Sequence, residues 1–313
     1  MKKQLTFMSV AILSAGLFFA SCKKEKTTDI NDNETELALQ SDDQARFSAE
    51  SDAADDDANL ALESFGGTYA GARPISPLPR LCDADVTVDT TSTPRTITIT
   101  YSGDTCPGAR RVRTGSVVLT FTGGFRWAAA GSNFNITYNN LKVTRLADNK
   151  SIIINGNKTI TNVTGGKLSN LASLGTVTHT VTSPGMSVTF DNGAQRTWKV
   201  ARQRTFTYDN GVVISVTGIG PAALGTGVAE WGTNRFGRDF KSAILQPMVV
   251  KQSCDFRLVS GQVQHTGFFV TTTTTFGLDA NGDPVTTCPS GPFYLKRVWV
   301  AANGQQRQYI GPY

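Results

Sequence analysis

From Phe65 to the C-terminus, apolar residues recur with a period of two in short runs, and no stretch sustains the spacing of a long helix. Thr96-Ile97-Thr98-Ile99-Thr100-Tyr101 alternates strictly, as a half-buried strand does, and Ser116 to Thr122 alternates less cleanly before Gly123-Gly124. Turn sequences separate the runs. Asp191-Asn192-Gly193 follows Ser187-Val188-Thr189-Phe190 and leads to a strand around Trp198. Asp209-Asn210-Gly211 joins Thr205-Phe206-Thr207-Tyr208 to Val212-Val213-Ile214-Ser215-Val216. Asn303-Gly304 lies between Val298-Trp299-Val300 and Gln308-Tyr309-Ile310. Asn-Gly between two β-prone runs predicts an antiparallel hairpin. The many threonines suit the exposed face of a pleated sheet. The pattern therefore predicts an all-β domain over residues 65–313, a large antiparallel sheet or sandwich built of successive hairpins. The glycine-rich, Pro221-containing stretch 218–227 is a possible place for it to divide in two.

The first 64 residues carry two other patterns. Met1-Lys2-Lys3 precedes an apolar run, Leu5 to Ala20, which is shorter than the roughly 20 apolar residues needed to cross a bilayer. It ends in Leu17-Phe18-Phe19-Ala20-Ser21-Cys22, small residues followed by a cysteine. This predicts a lipoprotein signal peptide over 1–21, with diacylglycerol and palmitate carried on Cys22. Buried acyl chains contribute about 0.8 kcal/mol per CH₂, so several together anchor firmly. The expected location is the cell envelope, most simply the outer membrane, with the leaflet left open.

From Lys23 to Ser64 there are 13 acids against four bases, net −9, and few large apolar residues. Such a composition predicts a disordered acidic tether over 22–64, with at most a helical turn around Leu60, Leu62 and Phe65. The remainder is the reverse. From Phe65 onward 24 Lys and Arg face 12 Asp and Glu, about +12, and Glu230 is the only glutamate. A field of that sign favours an anionic partner: an acidic glycan, a lipid head group, or the chain's own acidic segment. Arg110, Arg111 and Arg113 form one cluster, and Arg196, Lys199, Arg202 and Arg204 another. Alternation puts Arg202 and Arg204 on one face, which the sequence reads as a solvated one. Nucleic-acid motifs and interleaved aromatics are missing, so no nucleic-acid partner is expected.

Four cysteines remain besides Cys22, an even number in an exported chain. The expected disulfides are Cys82–Cys106 and Cys254–Cys288, because each pair brackets a threonine-rich strand. Each second cysteine also opens a similar phrase, Thr105-Cys106-Pro107-Gly108 and Thr287-Cys288-Pro289-Ser290-Gly291. Loops of this size imply roughly 3–4 kcal/mol each. A four-thiolate metal site would need close Cys-x-x-Cys pairs, which the sequence lacks.

Candidate chemistry is sparse. His179 and His265 stand alone on strand-like stretches and read as surface residues. Neither a serine-nucleophile elbow nor a phosphate-binding loop is present, and no cofactor is expected. Asp279-Ala280-Asn281-Gly282-Asp283 resembles a calcium loop at its start but reads better as a hairpin turn, since Pro284 and Ser290 occupy the positions of the loop glycine and the bidentate glutamate. Glu230 and Asp239 are the one acid pair available for glycoside chemistry, with Trp231 placed to stack on a sugar.

Gly103-Asp104-Thr105-Cys106 through Arg113-Thr114-Gly115-Ser116-Val117-Val118-Leu119-Thr120-Phe121-Thr122-Gly123 resembles a family of Bacteroidota cell-envelope lipoproteins of uncharacterised function. So do Gly232-Thr233-Asn234-Arg235-Phe236-Gly237 and Pro247-Met248-Val249-Val250-Lys251-Gln252-Ser253-Cys254. The resemblance covers most of the chain after residue 80. It implies a lipid-modified cysteine and an all-β domain with paired cysteines, carries over no catalytic residues, and marks Asp89-Thr90-Thr91 as an O-glycosylation motif. The resulting expectation is a membrane-anchored lipoprotein with a non-catalytic binding or structural domain for an anionic partner. Its binding residues would come from Arg110, Arg111, Arg113, Arg202, Arg204 and Trp231. A lipid or lipopolysaccharide carrier is the first alternative, marked by an apolar groove that the protein's own side chains leave unfilled. A glycan-active enzyme using Glu230 is the second.

Overall fold

A computed structural model describes residues 32–65, 81–121, 126–267, 270–301 and 304–313. The signal peptide, Cys22 and the first part of the acidic segment lie outside the described residues, as do Gly123-Gly124 and Asn303.

The alternating runs form one antiparallel sheet of 14 strands. In chain order these are β1 (Ala84–Asp89), β2 (Arg95–Ser102), β3 (Arg111–Phe121), β4 (Ser132–Arg145), β5 (Ser151–Asn162), β6 (Thr176–Phe190) and β7 (Gln195–Tyr208). They continue as β8 (Val212–Gly218), β9 (Val228–Thr233), β10 (Asp239–Lys251), β11 (Arg257–Thr266), β12 (Val270–Leu278), β13 (Tyr294–Ala301) and β14 (Gln306–Pro312). Nearly every strand pairs with its sequence neighbour. The exception is the slot between β7 and β10, which β8 and β9 share end to end, each pairing with both flanking strands. Stretch 218–227 thus connects two strands of a single sheet.

One face of the sheet is the core. Ile97, Ile99, Val117, Leu119, Phe134, Ile136, Ile152, Ile154, Val188 and Trp198 point inward and are buried. β-Bulges interrupt the pairings of β3–β4, β4–β5, β5–β6 and β6–β7, and each bends its strand. Side chains of one helix, described below, reach strands from β2 to β11, so the bent sheet closes round that helix as a trough. Gly115 marks one of them, at φ 93°, where a Cβ would lie 2.2 Å from the Asn140 carbonyl oxygen. Both expected disulfides are present. Cys82–Cys106 closes the β1–β2 hairpin and Cys254–Cys288 the β11–β12 hairpin, with Cα separations of 5.6 and 5.4 Å.

The acidic segment departs from expectation. Residues Asp32–Phe65 form a single helix, α1, where the composition predicts a disordered tether through residue 64. Between Lys23 and Phe65 the chain has no glycine or proline, so nothing breaks a helix once it has a surface to rest on. That surface is the inside of the trough. Gln40, Asp43, Phe47, Ser51, Asp52, Ala54, Asp55, Ala58, Ala61 and Leu62 are buried, recur at the helical period, and so define one helical face. Alanines on the last part of that face let the helix approach the apolar end of the trough, and Phe47 lies 3.8 Å from the Trp198 ring.

Candidate functional site: the basic trough and its acidic helix

The inner face carries cations where alternation would place apolar residues, and α1 meets most of them. Lys158 shares its phase on β5 with Ile152, Ile154 and Ile160, and its ammonium is 3.0 Å from Asp55, both side chains nearly inaccessible to solvent. Arg204 reaches Asp52 at 2.8 Å and Asp55 at 3.5 Å, while Arg202 reaches Asp52 at 3.3 Å and Glu230. Arg111 pairs with Glu50 at 2.7 Å. Arg113 grips Asp83 through two hydrogen bonds of 2.7 and 2.8 Å, meets Asp57 at 2.6 Å, and lies 4.2 Å above the Tyr101 ring. Arg235 donates to Asp43 at 2.7 Å, and Arg145 reaches Asp42 at 3.3 Å. Six acids of α1 are thereby paired with the sheet and its turns.

Polar contacts fix the register. The Gln44 amide is split, its oxygen accepting from Arg196 and its nitrogen donating to Glu230. One turn earlier, Gln40 Nε2 meets His265 Nε2 and Gln40 Oε1 accepts from Asn234 at 3.3 Å. Gln40 as donor leaves His265 neutral with its proton on Nδ1, where it donates to Ser242 Oγ at 2.9 Å. Tyr138 and Tyr101 donate to Asp55 and Asp57 at 3.0 and 2.8 Å.

Electrostatics follow burial. Burial pushes Asp52 up, yet Arg202 and Arg204 outweigh it and hold the carboxyl below its usual range. Burial wins at Asp43, Glu50 and Asp57, raising each despite its arginine. It also lowers the Lys158 ammonium, and pushes both tyrosines well above the usual phenol range. His265 is lowered to about 4 by burial and then by Arg196, and His179 to about 4 by burial and then by Arg204. Arg196, 1% exposed, lies 4.3 and 4.1 Å above the Trp198 and Phe240 rings and is lowered by burial to about 9.

The sequence clusters are therefore placed differently from expectation. Arg202 and Arg204 share a face as alternation requires, but that face is the closed trough, because the helix covers it. Arg111 and Arg113 also point inward, and Arg110 is exposed. Neither histidine belongs to the outer face: His179 is 2% exposed between Trp127 and Phe206, and His265 lies under Gln40. Glu230 faces inward against Arg202, whereas Trp231 and Asp239 point outward, so the two acids flank opposite sides of the sheet. Asp279 Oδ1 accepts from the backbone of Asn281 and Asp283, closing the expected turn. Sequence reasoning passed over Lys158, although a lysine in isoleucine phase is itself the mark of a buried charge with a partner elsewhere. Between α1 and the sheet remains a cavity of about 10 Å³, room for one water. The chain gives no match to protein families, to characterised proteins or to solved structures.

Proposed function

We propose that this protein is a lipid-anchored lipoprotein of the bacterial cell envelope whose sheet is a non-catalytic binding or structural domain, and that the anionic partner of its trough is its own helix α1. The observation that carries this reading is the pairing of six α1 acids with inward arginines and lysine. The acid pair of a glycosidase is split between two faces, and α1 fills the inner face that a lipid carrier would keep open. Docking also changes what the acidic segment does. A 43-residue tether would reach roughly 140 Å, whereas the ten residues from Cys22 to Asp32 span at most about 35 Å. The helix then works as a clasp holding the domain close to the lipid surface. Labelled palmitate should enter the wild-type chain and be lost from Cys22→Ala, with the variant moving to the soluble fraction. An unlabelled, soluble wild-type chain would contradict the anchored reading.

A further inference from the structure

Strand β9 sends neighbouring side chains to opposite faces. Glu230 enters the trough, so Trp231 points outward. In register with Trp231 stand Lys199 on β7 and Lys241 on β10. Their neighbours Val200 and Ser242 face inward beside Glu230, which turns both lysines outward as well. A row Lys199–Trp231–Lys241 therefore crosses three adjacent strands, about 4.8 Å per step, with a cation on each side of one indole.

The surroundings are hydroxyl-rich. Thr266 and Thr271 continue the row beyond Lys241, and Thr197 and Thr233 lie beside it with their hydroxyls 2.7 Å apart. Lys241 donates to the Leu224 carbonyl at 2.8 Å, which holds the 219–227 connection against the row, and a Cβ on Gly220 would come 3.2 Å from the indole. Among the described residues neither lysine has an acidic partner, and the nearby outward Asp239 makes no ion pair. The contrast with the inner face is sharp. There the helix meets the arginines with carboxylates; here two lysines without an ion-pair partner flank a partly exposed aromatic ring.

We infer that this row is a docking surface for an acidic glycan. The indole stacks on a sugar ring, the ammonium groups pair with carboxylates of adjoining sugars, and the threonines hydrogen-bond to ring hydroxyls. Two lysines are too few to track a nucleic-acid backbone. The assignment rests on the envelope location proposed above for access to its ligand, and not on the docking of α1.

The test uses the full chain from Cys22, purified in detergent, with polygalacturonate oligomers as probe and dextran as the neutral control. Calorimetry should show polygalacturonate binding that weakens with salt and no dextran binding. Trp231→Ala should lower affinity about tenfold. Lys199→Gln/Lys241→Gln should lower it similarly, while Lys142→Gln, elsewhere on the outer face, leaves it unchanged. No polygalacturonate binding by wild type, binding retained in both row variants, or binding only to phosphatidylglycerol vesicles would each overturn the assignment. Palmitate labelling reads the anchor independently: a chain that binds the glycan but takes up no palmitate loses the location and keeps the surface.

Discussion

Lys158 and Asp55 show what a buried charge demands of its neighbours. With side-chain exposures of 3% and 0%, each depends on the other, and Ser51, Tyr138 and Arg204 complete the set. Removing one partner leaves an uncompensated charge in a closed space, whereas replacing both with apolar groups removes the desolvation cost as well. Lys158→Met alone should therefore cost about 3–5 kcal/mol of stability in denaturant titrations. Asp55→Leu/Lys158→Met should recover a large part of that loss. Equal destabilisation by the single and double variants would contradict a coupled buried pair. The Ile152, Ile154 and Ile160 phase of β5 was open to reading from alternation, but the lysine within it makes sense only once its acid, 103 residues upstream, is brought to it.

At the scale of the element, the inner face of α1 has no stripe of large apolar residues. Its buried positions follow the helical period, yet Gln40, Asp43, Ser51, Asp52, Asp55 and three alanines fill them, and only Phe47 and Leu62 are large and apolar. Hydrophobic periodicity is therefore blind to it, and acid-rich composition points to disorder instead. The legible signs were the uninterrupted run without glycine or proline and the opposite charge of the domain that follows. Docking also gives the helix a pH dependence. Neutral His265 accepts from Gln40, and its folded-state pKa of about 4 lies below the ordinary value of 6.5. Its contribution is fully present above about 6.5 and is lost as pH falls towards 4, up to about 3 kcal/mol. The raised carboxylates Asp43, Glu50 and Asp57 act in the opposite sense, binding protons more readily when folded. Comparison with His265→Gln separates the two. Between pH 7 and pH 4.5 the variant should lose distinctly less stability than wild type, and parallel profiles would remove His265 from the docking.

For the whole molecule, alternation, Asn-Gly turns and cysteine spacing made the all-β class, the antiparallel hairpins and both disulfides legible. Each of these is a local property, set within one or two strands. Alternation left a single sheet and a sandwich both open, because the β8–β9 relay across 219–227, which joins all strands into one sheet, depends on how β7 and β10 are spaced. Nor was the sorting of charge between faces legible; it turns Arg111, Arg113, Lys158, Arg202 and Arg204 inward onto the acids of α1 and leaves Lys199 and Lys241 outside. That sorting is the central claim. Amide hydrogen exchange across residues 47–61 of the full chain measures it most directly. Docked α1 should be protected far beyond an isolated acidic helix, and Asp52→Lys/Asp55→Lys should abolish that protection while the β2–β6 amides stay slow. Exchange across 47–61 at the rate of an unfolded chain in wild type would contradict it.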